Sequence, residues 1–192
     1  NGAAPAGLTF NADGSYSFDP TNAECLVFTF KEGLLSAIAH DLKIRVASFS
    51  VEHDEAAGRV VARFDARSLR VVTAMKDGAE SPGALSDGNK AEIERTIRKE
   101  VLDDARHPEI VFTSSAIVAA GGAHRVEGTL ALHGRTRAIV ITVENEGARK
   151  VATARIHQPD FGIKPYSAML GTLKIKPDVE IRFTFRSDAT LT

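Results

Sequence analysis

Chemistry in this chain would have to come from its six histidines, its one cysteine and its carboxylates. The pair His40-Asp41 is the first candidate, because a histidine beside an aspartate can serve as a base and its orienting carboxylate. Adjacent residues of a strand point to opposite faces, however, so these two cannot readily orient one another. The pair is read first as structural hydrogen bonding, with ligand head-group contact and catalysis as alternatives. His107 stands before Pro108 at the end of a helical pattern and reads as a cap. His53, His124, His133 and His157 are scattered, with no His-Glu-x-x-His spacing, and no metal site is expected. Asp160-Phe161-Gly162 matches a kinase tripeptide but lacks the glycine-rich loop, strand lysine and catalytic loop that would give it meaning. It reads as a turn entered at Pro159 and released at Gly162. No Gly-x-Ser-x-Gly, Walker or Rossmann pattern occurs. Cys25 allows no intrachain disulfide and reads as a small strand residue.

Composition narrows the partners. The 24 Lys+Arg and 25 Asp+Glu nearly cancel, which argues against nucleic acid. The longest small-apolar run, Ile117 to Ala120, ends at Gly121-Gly122, far short of the roughly 20 residues of a membrane helix. A soluble, non-membrane-spanning protein is expected, with its compartment left open.

The elements that must position these groups are mainly strands. Residues 1–22 carry no sustained period and are expected to be irregular, ahead of one domain over 23–192. Leu26, Phe28 and Phe30 alternate with Val27, Thr29 and Lys31; Leu42, Ile44 and Val46 alternate with Lys43 and Arg45. A phase shift near Ala47-Ser48 fits a bulge before Phe49 and Val51. Val60, Ala62 and Phe64 follow, then a short stretch from Ser68 to Thr73. Leu34 to Ala39 is either a helical turn or an apolar loop, and 74–88 reads as a loop. Ile93, Ile97 and Val101 recur at i, i+4, i+8 and predict one main helix over 87–102, capped by Ser86 or Asp87 and supported by a Glu94–Arg98 pair. Period two then returns through Ile110, Phe112 and Ser114; Val126, Gly128, Leu130 and Leu132; Ile139, Ile141 and Val143; Ala152, Ala154 and Ile156; and Val179, Ile181, Phe183 and Phe185. His133-Gly134 supplies a hairpin turn. The expected fold is mainly β, a single antiparallel barrel of about eight strands with one inserted helix, wide enough for a small ligand.

Four segments, in order, resemble the YceI-like family of polyisoprenoid-binding proteins with a lipocalin-like fold. They are His40-Asp41-Leu42; His107-Pro108-Glu109-Ile110-Val111-Phe112-Thr113-Ser114-Ser115; Val126-Glu127-Gly128-Thr129-Leu130 with Gly134-Arg135-Thr136; and Asp160-Phe161-Gly162-Ile163. The stretch Leu85-Ser86-Asp87-Gly88-Asn89-Lys90 departs from the family's Arg-Asp-His-Leu run. The resemblance implies an elongated apolar cavity, a bound isoprenoid or other long-chain lipid and no other cofactor. It also implies a bacterial, periplasmic or secreted setting, with the cytoplasm as the alternative, and suggests a homodimer.

Strand parity then nominates the cavity wall: Phe28, Phe30, Leu42, Ile44, Val60, Phe64, Phe112, Leu130, Phe161, Ile181, Phe183 and Phe185. With no Trp and two Tyr, the ten Phe and the aliphatics must fill such a barrel or line a ligand site in it. His40, Asp41, Lys164 and Tyr166 are the head-group candidates. The expected function is non-enzymatic binding or transport of an amphiphile, a polyisoprenoid or isoprenoid quinone. The alternatives are a cavity enzyme using His40, His107 or Asp160 as acid or base, and a barrel whose outer surface docks a partner chain.

Overall fold

Apolar side chains at every second position need one covered face, and long antiparallel strands supply it. The computed structural model describes residues 9–10, 16–34 and 39–186. Early strands are β1 (Thr9–Phe10), β2 (Tyr16–Phe18), β3 (Ala23–Thr29), β4 (Lys31–Glu32), β5 (Asp41–Val46), β6 (Phe49–Asp54), β7 (Arg59–Asp65), β8 (Leu69–Lys76) and β9 (Ala79–Ser81). Helix α1 (Asp87–Thr96) follows and ends in a π-turn over Ile97–Val101. Then come β10 (Glu109–Ala120), β11 (Ala123–Leu132), β12 (Arg135–Glu146), β13 (Arg149–His157), β14 (Ser167–Ala168), β15 (Leu173–Ile175) and β16 (Asp178–Arg186).

Thirteen of these strands form one antiparallel sheet in the order β1-β2-β6-β7-β10-β11-β12-β13-β16-β3-β5-β8-β9, and β14-β15-β4 form a second, small sheet. The mainly β, antiparallel expectation therefore holds, but the strand count of about eight does not. Short strands carry too few residues to show a period: β2 lies inside the segment read as irregular, and β9 inside the 74–88 loop. Residues 35–38 of the Leu34 to Ala39 reading lie outside the described residues.

Among the described residues, no ladder joins β1 to β9, so hydrogen bonds do not close the sheet. The chain itself brings the ends together. β5 passes into β6 through Ala47-Ser48 alone, and β7 into β8 through the short turn Ala66–Ser68. One bent hairpin thus belongs to both ends of the sheet. At the corner the Ala47 N–H donates to Ser68 O at 2.9 Å, the Asp65 N–H to Ser48 O at 3.1 Å, and the Ser48 N–H to Ser68 Oγ at 3.0 Å.

Helix α1 lies along β8. Ser86 caps its start, accepting from the Asn89 N–H, as the sequence indicates. The expected Glu94–Arg98 pair is not made. Glu94 Oε1 instead accepts the Val71 N–H at 2.8 Å, a strand donor with no ladder partner there, and Arg98 turns to Asp104 at 2.6 Å. A buried backbone donor outweighs an exposed helix pair worth a few tenths of a kcal/mol.

The hairpin from β11 to β12 turns at His133-Gly134, both with positive φ (53° and 75°), which matches the twist of its strands. Gly128 in β11 serves a different purpose. A Cβ there would stand 2.3 Å from Thr113 O and 2.7 Å from two carbons of the Phe112 ring. Gly128→Val should therefore lower the denaturant midpoint, by about 2–3 kcal/mol of stability. An unchanged midpoint would mean that the Phe112 ring does not depend on this close approach.

Candidate ligand-binding site

The inward faces of these strands enclose more space than they fill. Near the corner, Val46, Phe49, Ala62, Leu69, Phe112, Leu130 and Leu132 are buried and packed together. Between and beyond them, Val60, Phe64, Ile110, Ile139, Ile141, Ile181, Phe183 and Phe185 also point inward, yet they are only partly buried. Apolar side chains that face the interior and stay accessible are lining a void. That void is a cavity of about 760 Å³, within the roughly 300–1,000 Å³ typical of small-molecule sites.

Aromatic rings brace one side of it. Phe64 packs on Phe49 (5.9 Å between centroids), Phe49 edge-on to Phe183 (5.4 Å), Phe183 on Phe185 (5.9 Å), and Phe185 on Phe18 (4.8 Å). This row crosses the interior from β7 to β2. Offset and tilted pairs of this kind contribute about 0.5–1.5 kcal/mol each beyond their buried area. Helix α1 covers another side, its Ile93, Ile97 and Val101 stripe facing the cavity. Exposed polar lining residues enter from the helix start, the approach to β5 and the small sheet: His40, Asn89, Glu92, Tyr166 and Lys174.

Of the twelve wall residues nominated by parity, Leu42, Ile44, Val60, Phe64, Phe112, Leu130, Ile181, Phe183 and Phe185 line the cavity. Phe28, Phe30 and Phe161 do not. In β3 the inward residues are Cys25, Val27 and Thr29, in register with Phe183, Ile181 and Leu42. Phe28 therefore points outward, and Phe30 lies beyond the strand's end. The sequence pattern misled because Lys31 appears to continue the Val27 and Thr29 phase; β3 stops at Thr29, and Lys31 belongs to the small sheet. Phe161 is fully buried, but below the cavity wall.

Among the head-group candidates, His40 and Tyr166 line the cavity and Asp41 and Lys164 do not. Asp41 Oδ1 accepts the Lys31 N–H at 2.8 Å, a structural bond that ties the small sheet to β5. Parity alone missed Ala152, Ala154, Leu173, Ile175 and the helix stripe. The i, i+4, i+8 spacing of Ile93, Ile97 and Val101 was the available signal for the last of these.

The remaining motif residues meet elsewhere. The His107 ring stacks at 4.8 Å on His133 and lies against Gly134, and His133 Nδ1 stands 3.2 Å from Phe161 O. Arg135 crosses Gly162, whose missing Cβ would approach its Nε to 2.8 Å. Three distant segments are thus latched together below the cavity. Asp160 lies outside, in a surface depression with Arg137, Arg155 and His157. His40, His107 and Asp160 occupy three separate places, and of the three only His40 lines the cavity. No cluster of metal-ligating side chains occurs among the described residues, and no helix among them is long and apolar enough to cross a membrane.

The model of the YceI-like domain matches residues 16–187. The chain belongs to the YceI-like family. A UPF0312 protein of Vibrio cholerae serotype O1 is 32% identical over 125 residues, 59% of this chain and 57% of the relative. The chain thus matches little more than half the length of that relative. Two solved structures share the fold. BcnA of Burkholderia cenocepacia superposes with a TM-score of 0.55 at 19% identity, covering 84% of this chain and 94% of its own. A polyisoprenoid binding domain from Saccharophagus degradans, implicated in plant cell wall breakdown, gives 0.56 at 15% identity, covering 88% and 95%. In this YceI-like chain the His-Pro, Gly-Arg-Thr and Asp-Phe-Gly-Ile segments build the latch, and the interior is left to aliphatic and Phe side chains.

Three lining groups, Cys25, His53 and Asp65, carry perturbed ionisation. Burial pushes the Cys25 thiol up to about 12, which keeps it protonated and unreactive. Burial likewise holds His53 below the ordinary imidazole value, against the opposing pull of Glu55 and Asp54. The unfolded chain then takes up this proton first as pH falls, so stability present above about pH 6.5 is lost on acidification below it. The melting temperature should drop between about pH 7 and about pH 5, and His53→Gln should flatten that slope. Asp65, held low by Arg67, acts in a separate window below the ordinary carboxylate range. A slope unaltered by His53→Gln would assign the loss to other groups.

Proposed function

We propose that this protein binds and carries, without chemical conversion, an amphiphile with a long apolar tail, a polyisoprenoid or isoprenoid quinone. The observation that carries this reading is the unfilled apolar interior, about 760 Å³, walled by inward side chains that remain partly accessible. Each methylene-sized group moved from water into it gains about 0.8 kcal/mol. Association costs about 4–15 kcal/mol, so roughly 5–20 such groups are needed to offset it, and each further group adds to the net affinity. A long chain is therefore favoured over a compact ring system. His40 and Tyr166 are the side chains placed to meet its polar end. Membership of the YceI-like family supports lipid-type cargo.

Native mass spectrometry of the purified protein, beside lipid extraction of the same sample, tests the reading. A stoichiometric long-chain adduct is expected. Ala154, which lines the cavity beside Ile181, can be enlarged to fill it. Ala154→Phe should reduce uptake of an added polyprenol at least about tenfold while the melting temperature moves little. Ala138→Phe, on the exposed outer face of β12, should leave uptake unchanged. A protein that purifies empty and takes up no added isoprenoid would overturn the proposal.

A further inference from the structure

The segment between β14 and β15 departs from ordinary folding economy. Met169 and Leu170 are 61% and 105% exposed, and both adopt left-handed backbone conformations (φ 52° and 56°). Large side chains rarely take this conformation, because Cβ crowds the following carbonyl. The turn is nevertheless well tied: the Thr172 N–H and its hydroxyl both donate to Met169 O, at 3.2 and 2.6 Å. Gly33 sits so close that a Cβ on it would lie 2.6 Å from Thr172 O. Its neighbour Leu34, 89% exposed, therefore emerges beside the same tip. Met169 and Leu170 are held out into water by a strained but fixed turn, with the exposed Leu34 beside them. None of the three joins the hydrophobic core.

The surrounding charge is predominantly positive, with Glu32 and Asp41, whose carboxylate accepts the Lys31 N–H, as the acidic groups beside it. Within segments 31–34 and 164–176, Lys31, Lys164, Lys174 and Lys176 stand against the single carboxylate Glu32, which Lys174 approaches to 4.0 Å. The same segment supplies Tyr166 and Leu173 to the cavity lining, so the lip and the entrance are continuous.

We propose that this lip, with Leu34, Met169 and Leu170 at its tip and a lysine collar behind them, docks onto an anionic lipid bilayer. Apolar side chains enter the interface while lysines remain at headgroup level, the arrangement of interfacial anchors generally. A neutral partner surface would leave the collar unused. Docking goes beyond carriage and does not depend on it; where both hold, it brings the cavity entrance against the bilayer from which an apolar cargo would come.

The test is co-sedimentation of the full chain with phosphatidylcholine vesicles, with and without about 30% phosphatidylglycerol, at low and at about 0.5 M salt. Partition should be at least about tenfold stronger onto the anionic vesicles and should fall with salt. Met169→Ser with Leu170→Ser should lose about tenfold, and so should Lys164→Glu with Lys176→Glu, with melting temperature and polyprenol uptake in vesicle-free solution unchanged. The proposal is overturned if the unaltered protein ignores anionic vesicles, or if the serine variant binds them equally well. It is also overturned if that variant changes only the sedimentation of the protein alone, which would make the tip a contact between copies. Vesicle binding without polyprenol uptake would instead remove the carrier reading and leave the docking lip standing.

Discussion

A strand that leaves one end of a sheet and enters the other has to turn without abandoning its backbone hydrogen bonds. At Ala47-Ser48 and Ala66–Ser68 both strands of a single hairpin make that turn together. The cross-bonds between Ala47 and Ser68, and between Asp65 and Ser48, carry the ladder through the bend. The buried Ser68 hydroxyl joins two backbone segments, accepting from the Ser48 N–H and donating to Asp65 O. The Ala66 N–H reaches Pro108 O at 2.9 Å, which fixes the returning chain from the helix to the same corner. Without this bend the ladder would be an open twisted sheet, and its apolar face would have no interior to enclose. The cavity, the helix position and the order of the later strands all follow from it.

Enclosure does not require emptiness, and side-chain choice supplies the difference. Around the corner the inward positions hold Phe49, Leu69, Phe112 and Leu130, large side chains buried in one cluster. Along β12 and β13 they hold Ile139, Ile141, Ala152 and Ala154, too short to meet across the span. The phenylalanines concentrate in one row instead of spreading round the wall. The protein therefore combines closely packed inward positions with an unfilled volume beside them. A uniform lining of large side chains would have raised stability and removed the space.

Long, unbroken alternation was legible in the sequence, and β13 and β16 appear where Ala152 to Ile156 and Val179 to Phe185 place them. So was the helix stripe, since Ile93, Ile97 and Val101 can share a face only at helical spacing. Strand β3 was misread because period two shows that faces alternate and not which face is inside; that choice belongs to its neighbours, Ile44 and Ile181. The shift at Ala47-Ser48 was visible as a break in phase. Its consequence, moving the chain between sheet ends, depends on pairings with β3 on one side and β10 on the other. The motif residues were visible too, but the contact of His133 with Phe161 spans 28 positions, and no local spacing encodes it. Glu94 shows the same limit: its sequence neighbour is Arg98, while its structural partner is a backbone amide of β8.

That bond between Glu94 and Val71 gives helix α1 a second role beyond covering the cavity. The stretch of β8 before its pairing with β9 would otherwise offer bare donors and acceptors to any passing strand. The helix thus guards the molecule against edge-to-edge polymerisation. Swinging it aside to admit a bulky guest would expose sticky backbone and apolar wall at once. Traffic in and out of the interior is safer past Tyr166 and the small sheet, with the helix left shut.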